Sequence, residues 1–251
     1  MPHEPETTTS TERSDASSRI LIAVCTLNEA ANVSRLVSQL RNAIPSANIV
    51  VLDDDSPDGT AKLVSQLASE DSAIDLIVRK DQRGLGSAIR NVMQVAVDDG
   101  YEYFINLDGD LSHDPLQLPA LLERMLQTPE LDVVIGSRYV AGGSIVGWPL
   151  HRKLMSRLVN RFATVCLGLP VKDCSGSMRC YRVAALVKLG LENLHQDGYA
   201  VLEEVLMKLH RQGAQMDEVP ITFTDRTEGK SKLTLREAVR STFQILTMAK
   251  R

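Results

Sequence analysis

The chain has 251 residues, 43% of them hydrophobic and 24% charged, and a formal net charge of -4. That is enough apolar material for one sizeable α/β domain or two small ones with a shared core, and one domain is the simpler reading. The acidic balance argues against a general nucleic-acid binder, whose surface is broadly basic, so any anionic partner has to be held by local clusters.

Residues 1–18 are rich in Thr, Ser, Glu and Pro and have no apolar stretch, so they read as a disordered tail and not as a signal peptide. The four cysteines, Cys25, Cys166, Cys174 and Cys180, form no C-x-x-C pair. They read as reduced, mostly buried thiols of a cytosolic protein. No window approaches the roughly 20 consecutive apolar residues of a spanning helix, so membrane contact is expected to be peripheral.

From Ile20 onward, short β-branched runs alternate with amphipathic stretches. Residues 20–25 (ILIAVC), 49–52 (IVVL), 74–78 (IDLIV), 103–107 (YFINL) and 132–136 (DVVIG) are the predicted strands. Val33, Leu36, Val37, Leu40 and Ile44 keep a helical period that stops at Pro45, and similar helices fit 59–69, 86–98 and 115–127. The fold class is α/β: a mostly parallel twisted sheet flanked by helices. Ligands of such sheets sit at the carboxyl ends of the strands, so the chemistry is expected after strands one, two and four. After residue 140 the pattern becomes a Gly-rich loop, a long helix, a Cys/Ser/Gly loop and more helix, expected to form the acceptor side.

Between Leu150 and Leu167, Arg152, Lys153, Ser156, Arg157, Asn160, Arg161 and Thr164 recur on one helical face. Leu154, Met155, Leu158, Val159, Phe162 and Cys166 fall on the other. The pattern fits a basic amphipathic helix at a lipid interface, and it fits a core-packed helix with a solvated face equally well. A last helix, with Leu235, Val239, Phe243, Ile245 and Leu246, offers a further apolar face for a membrane or a membrane-bound partner.

Two loops carry the chemistry. The second strand runs into Asp53-Asp54-Asp55-Ser-Pro-Asp58-Gly59-Thr60, and the fourth into Asp108-Gly109-Asp110-Leu-Ser112. Two aspartates one residue apart after a buried strand can both turn oxygens toward a hard divalent cation, which bridges diphosphate oxygens. A calcium loop starting at Asp108 needs Gly and Glu where the chain has His113 and Pro119. The turn after strand one is Cys25-Thr26-Leu27-Asn28-Glu29 and lacks the glycines of a dinucleotide site, and no P-loop occurs. A phospho-acceptor or phosphatase pocket at Asp53–Asp55 is a weaker alternative once the second acidic loop is considered.

Taken together, CTLNE (25–29), VLDDDSPDGT (51–60), RGLGSA (83–88), DGDLSHDP (108–115), GSRYVAGG (136–143), DCSGSMRCYR (173–182) and EVPITFTDRTEGKSKL (218–233) resemble glycosyltransferase family 2. Within that inverting GT-A family they are similar to the dolichyl-phosphate and polyprenyl-phosphate mannosyltransferase branch. The likeness implies a GT-A domain over 19–233, with a nucleotide-sugar half at 19–115 and an acceptor half at 116–233, then an amphipathic helix at 234–251. It further implies a nucleotide-sugar donor, usually GDP-mannose, and a polyprenyl phosphate acceptor. The protein is then expected at the cytoplasmic face of a membrane, where its last helix offers a face for a small membrane-bound subunit.

Carried over by position, Cys25, Leu27 and Glu29 line the nucleoside site, and Leu52 and Asp54 touch ribose and base. Asp108, Gly109 and Asp110 hold the diphosphate and Mg²⁺ or Mn²⁺, helped by Ser112. Arg138, Arg226 and Lys232 hold phosphates of donor and acceptor. Three positions depart from the family pattern: Cys25 to Glu29 replaces Pro-Thr-Tyr-Asn-Glu, Ser112 stands where Gln is frequent, and Asp55 where Gly is common.

In the implied reaction a nucleoside diphosphate leaves a sugar C1, so charge on that diphosphate must be neutralised. A phosphate monoester with a second pKa near about 6 is already a dianion at neutral pH, and no strong base is needed. Asp110 and Arg138 are therefore the expected catalytic pair, with Arg226 and Lys232 on a Gly-containing loop that closes over the donor. Two other functions fit the same residues: a family 2 transferase with another donor or acceptor, such as UDP-glucose or a polysaccharide, and a non-catalytic subunit that binds nucleotide-sugar.

Overall fold

The computed structural model describes residues 19–80, 83–225 and 244–248. Its first half follows the apolar runs. Strand β1 (Ile20–Thr26) leads through helix α1 (Val33–Ala43) to β2 (Asn48–Asp53), then α2 (Thr60–Glu70), β3 (Ile74–Val78), α3 (Leu85–Asp98) and β4 (Tyr103–Asp108). A single 3-10 turn, Pro115–Gln117, precedes α4 (Leu118–Gln127), so the helix expected from 115 begins as a tighter turn. The cause is local: Asp114 accepts the Leu116 N–H, and Pro115 starts the turn. Strand β5 (Leu131–Ser137) closes this half.

The apolar residues of β1, β2 and β4 are covered on both sides of the sheet, whereas β3, at its edge, leaves Val78 exposed. Leu21, Ala23, Val50, Leu52 and Phe104 face one side of the sheet, against α3 and later helices. Ile22, Val24, Ile49, Val51, Ile105 and Leu107 face the other, against α1 and α4. A strand buried on both faces has no polar alternation, which is why these runs read so clearly. Burying each such side chain contributes roughly 1.5–3 kcal/mol.

The second half departs from the sequence reading. Beyond the short β6 (Ser144–Val146) and α5 (Leu150–Leu167), the Cys/Ser/Gly loop leads into strand β7 (Arg179–Arg182) and only then into α6 (Val183–Leu189) and α7 (Ala200–Arg211). Two more strands follow, β8 (Gln215–Pro220) and β9 (Thr222–Thr224). "More helix" is thus corrected to two helices flanked by one strand before and two after. Strand β7 escaped notice because it has four residues with arginines at both ends, and β8 because its side chains are mostly half-buried.

The strands assemble in the order β3-β2-β1-β4-β7-β5-β8, with β6 and β9 as a separate parallel pair. Strand β7 runs antiparallel to both neighbours, while the other pairings in the large sheet are parallel. The sheet is therefore mostly parallel, as expected.

Helix α5 does not pack its apolar face into the core. It buries Asn160, Ala163, Thr164 and Leu167, whereas Leu150, Leu154, Met155, Leu158, Phe162 and Val165 are exposed. Its apolar face points outward, because Asn160 turns inward to hold the following loop: its Oδ1 accepts the Cys174 N–H at 3.0 Å and its Nδ2 donates to the Lys172 carbonyl.

Candidate active site

Register brings the predicted site together. Cys25 pairs with Leu52 on one side and Asp108 on the other, and Thr26 pairs with Asp53. The carboxyl ends of β1, β2 and β4 thus form one rim, with the CTLNE, DDDSPDG and DGDLS turns side by side. Burial pushes the Cys25 thiol up to about 12, with Asp54 and Asp108 adding to the shift and Arg79 opposing it. The sulfur is a neutral wall and not a nucleophile.

The first acidic turn is a braced frame. Asp53 is buried, and its Oδ1 accepts the hydroxyls of Thr26 (2.8 Å) and Ser56 (2.6 Å) while its Oδ2 accepts the Ser56 N–H (2.8 Å). Asp54 is buried as an ion pair: Arg79 donates from Nε (2.8 Å) and Nη2 to its Oδ1, and Gly84 donates its N–H to Oδ2 at 2.8 Å. Arg79 also reaches the Ser87 hydroxyl at 2.9 Å. The residue expected at ribose and base therefore sits on a fixed partner that no sequence signal indicated. Asp58 joins the CTLNE turn to α2: its Oδ2 accepts the Ala30 N–H at 2.9 Å and its Oδ1 the Thr60 hydroxyl at 2.6 Å. Desolvation alone raises the Asp58 carboxyl, but these bonds outweigh it and hold it below the ordinary range. Glu29 is tied in through its N–H to Thr60 (3.0 Å) and its Oε2 to Asn32 (2.9 Å).

The second acidic turn is asymmetric. Asp110 is buried, and its Oδ1 accepts both the Ser112 N–H (2.9 Å) and the Ser112 hydroxyl (2.5 Å). Ser112, expected to help hold the metal, thus orients a carboxylate through its hydroxyl. Asp108 keeps 29% of its side chain exposed, and its Oδ2 lies 3.6 Å from His113 Nδ1. Gly109 packs on β1: a Cβ there would sit 3.1 Å from Thr26 Cγ2. Leu111 has a φ of 59°, a conformation that a non-glycine residue adopts at a cost and that turns the chain between the aspartates and Ser112.

His113 is 1% exposed, and among the described residues neither ring nitrogen has a hydrogen-bond partner. Leaving such groups unpaired costs about 1–3 kcal/mol each. Burial lowers its pKa, against the opposing charge of Asp108, so the ring is neutral. It stands edge-on to Phe223 of β9, with centroids 5.1 Å apart.

Arg138 follows β5. Its Nε and Nη2 donate to Asp173 Oδ2 and Oδ1, each at 2.7 Å, and Nη2 also reaches the Ser175 hydroxyl at 2.8 Å. Both charged groups are buried. The two Nη1 hydrogens take part in none of these bonds. Burial alone raises the Asp173 carboxyl, yet the Arg138 charge and hydrogen bonds reverse this and hold it below the usual carboxylate range. Arg138 also lies 5.2 Å from the Tyr139 ring centroid and 5.5 Å from that of Phe223. Asp173 lies within the quoted DCSGSMRCYR block, but nothing in the sequence linked it to Arg138.

Arg226 and Lys232 lie outside the described residues. The segment leading to them ends at Asp225, whose Oδ1 accepts Trp148 Nε1–H at 2.9 Å and whose carboxylate pairs with Arg152 at 3.3 Å.

Among the described residues, no three His, Cys, Asp or Glu side chains form a closed metal cage. The donor set fits an open site instead. Mg²⁺ is usually held by one or two carboxylates together with substrate phosphates, and a half-buried Asp108 beside an oriented Asp110 supplies the protein's share of such a shell.

A family model described as Glycosyl transferase family 2 matches residues 21–190. The chain is 35% identical to an undecaprenyl-phosphate mannosyltransferase of Micrococcus luteus over 215 residues, spanning 86% of this chain and 87% of that protein. Its fold is similar to that of glucosyl-3-phosphoglycerate synthase from Mycobacterium tuberculosis, solved with Mn²⁺, UDP and phosphoglyceric acid. There the TM-score is 0.64 at 16% identity, covering 98% of this chain and 82% of that one. It is also similar to a mannosyltransferase from Pyrobaculum calidifontis in complex with GDP-Man and Mn²⁺, with a TM-score of 0.58 at 15% identity over 92% of this chain and 73% of that one.

Proposed function

The chain belongs to glycosyl transferase family 2, and from that premise we propose that it transfers mannose from GDP-mannose to a polyprenyl phosphate with inversion at C1, in a divalent-metal-dependent reaction. The observation that carries this reading is the open pair Asp108 and Asp110 at the end of a buried strand, in register with Cys25 and Leu52. The M. luteus relative is named for the same sugar and the same class of lipid, and the P. calidifontis enzyme was solved with GDP-Man and Mn²⁺.

The nucleoside rests against Cys25, Leu27, Glu29, Leu52 and Asp54, the last stiffened by Arg79. Asp108 and Asp110, with Gly109 close against β1 and Ser112 orienting Asp110, hold Mg²⁺ or Mn²⁺. When bound, that cation neutralises charge on the departing diphosphate. The acceptor phosphate is already a dianion, so the protein has to bring two anions together and has no proton to remove. Arg138, braced by Asp173, offers its Nη1 edge to the acceptor phosphate, and Arg226 and Lys232 add charge from the segment beyond Asp225.

The lipid reaches the site along α5. An exposed row of Leu150, Leu154, Met155, Leu158 and Phe162 next to Arg157 and Arg161 suits the boundary of an anionic membrane. Among the described residues no helix is long and apolar enough to cross a membrane. Attachment in this reading is peripheral, at the cytoplasmic face, and a small membrane-bound subunit is part of the same proposal.

The test is to incubate the purified protein with labelled GDP-mannose or UDP-glucose, short polyprenyl phosphates and Mn²⁺ or Mg²⁺. A metal-dependent mannosyl lipid from GDP-mannose is expected. A glucosyl lipid alone overturns the donor, and no product from either donor favours a nucleotide-sugar-binding subunit.

A further inference from the structure

The two aspartates of the metal turn are not equally supported. Asp110 is held by Ser112, whereas among the described residues no hydrogen-bond donor reaches the Asp108 carboxylate within hydrogen-bonding distance. Beside Asp108 lies the opposite deficiency, a buried imidazole whose two nitrogens have no hydrogen-bond partner among the described residues, with Nδ1 3.6 Å from Oδ2. The imidazole is the fixed member of the pair. Phe223 stands edge-on to it, His113 and Phe223 form a backbone bridge, and the Ser112 carbonyl accepts the Thr224 N–H at 3.0 Å. Asp108, being partly exposed, is the one that can turn.

We infer that His113 is the positioning residue for Asp108: its Nδ1–H donates to Oδ2 and sets the carboxylate in the orientation that meets a divalent cation, while Phe223 keeps the ring from swinging away. The inference rests on the reading of Asp108 and Asp110 as metal ligands. Asp110 is then braced from its own turn, and Asp108 from β9 through His113, so the packing of β9 against the turn sets half of the metal site. Nothing in the DGDLSHDP block distinguishes this histidine from a packed core residue.

The experiment is a Mn²⁺ titration of the full chain with GDP present, read as the electron paramagnetic resonance signal of free Mn²⁺. Partners that orient metal-ligating groups typically contribute 10–100-fold in metal affinity, so His113→Ala is expected to raise the Mn²⁺ Kd about tenfold. His113→Asn, whose amide nitrogen stands where Nδ1 stood, is expected to restore most of the affinity. His113→Gln, which places its donor nearer the Nε2 position, is not. Equal affinity in all three variants overturns the inference, as does a directly bound imidazole nitrogen in the spin-echo spectrum of the unsubstituted protein. Should a variant fail to fold, the ring tautomer of the unsubstituted protein, read from its ¹⁵N shifts, decides the matter: Nδ1–H supports the inference and Nε2–H overturns it. If the unsubstituted protein binds no Mn²⁺ with GDP, the metal-site reading itself has failed.

Discussion

The guanidinium of Arg138 closes on Asp173 through two parallel contacts of 2.7 Å, and both groups are buried. A buried pair of this kind is worth little compared with an apolar replacement, yet removing one member strands a charge at a cost of about 3–5 kcal/mol. Asp173→Ala is therefore expected to lower unfolding stability by that amount, and Arg138→Met in the same chain to recover much of it. Urea denaturation checks both. A loss below about 1 kcal/mol in the single variant contradicts the role given to the pair.

Glu203 sits in α7 near Arg179, and among the described residues its Oε2 has no hydrogen-bond partner. Burial raises its carboxyl from an ordinary 4.5 to about 7. The folded chain then holds a proton that the unfolded chain has lost, so this contribution to stability is full below about 4.5 and disappears as pH rises through about 7. Glu203→Gln is expected to flatten the decline of stability between those values and to melt above the parent at about pH 8, by at most on the order of 3 kcal/mol. Thermal melts of the two proteins across that range check it, and parallel curves contradict it.

The exposed row on α5 predicts a binding phenotype separate from catalysis. Leu154→Glu with Leu158→Glu is expected to abolish sedimentation with anionic phospholipid vesicles, while the melting temperature is nearly unchanged, because both side chains are exposed. Transfer to a short, water-soluble polyprenyl phosphate is expected to persist. Undiminished vesicle binding contradicts the docking face.

Legibility in the sequence followed burial. The runs ILIAVC and YFINL were readable as strands because both of their faces are covered, and β1 and β4 match them to within one residue. Strand β7, RCYR, was not, since a short strand containing a wholly buried arginine has no apolar signature. The helical period of α5 was plain, but which face turned inward depended on Asn160 holding the loop at Lys172–Cys174, a tertiary fact. The same holds at the site. The D-x-D turn announced itself by spacing, whereas its supports did not: Arg79 for Asp54, Asp173 for Arg138 and His113 beside Asp108 are set by strand order and register.

The central claim is that a divalent cation on the Asp108–Asp110 turn stabilises the departing diphosphate. Its most direct test is the rate of mannosyl transfer from GDP-mannose with Mn²⁺ in Asp110→Asn, which keeps the side chain's shape and its contact with Ser112. The account predicts a fall of at least about 10²–10³-fold with the melting temperature preserved. Turnover within about threefold of the parent contradicts it.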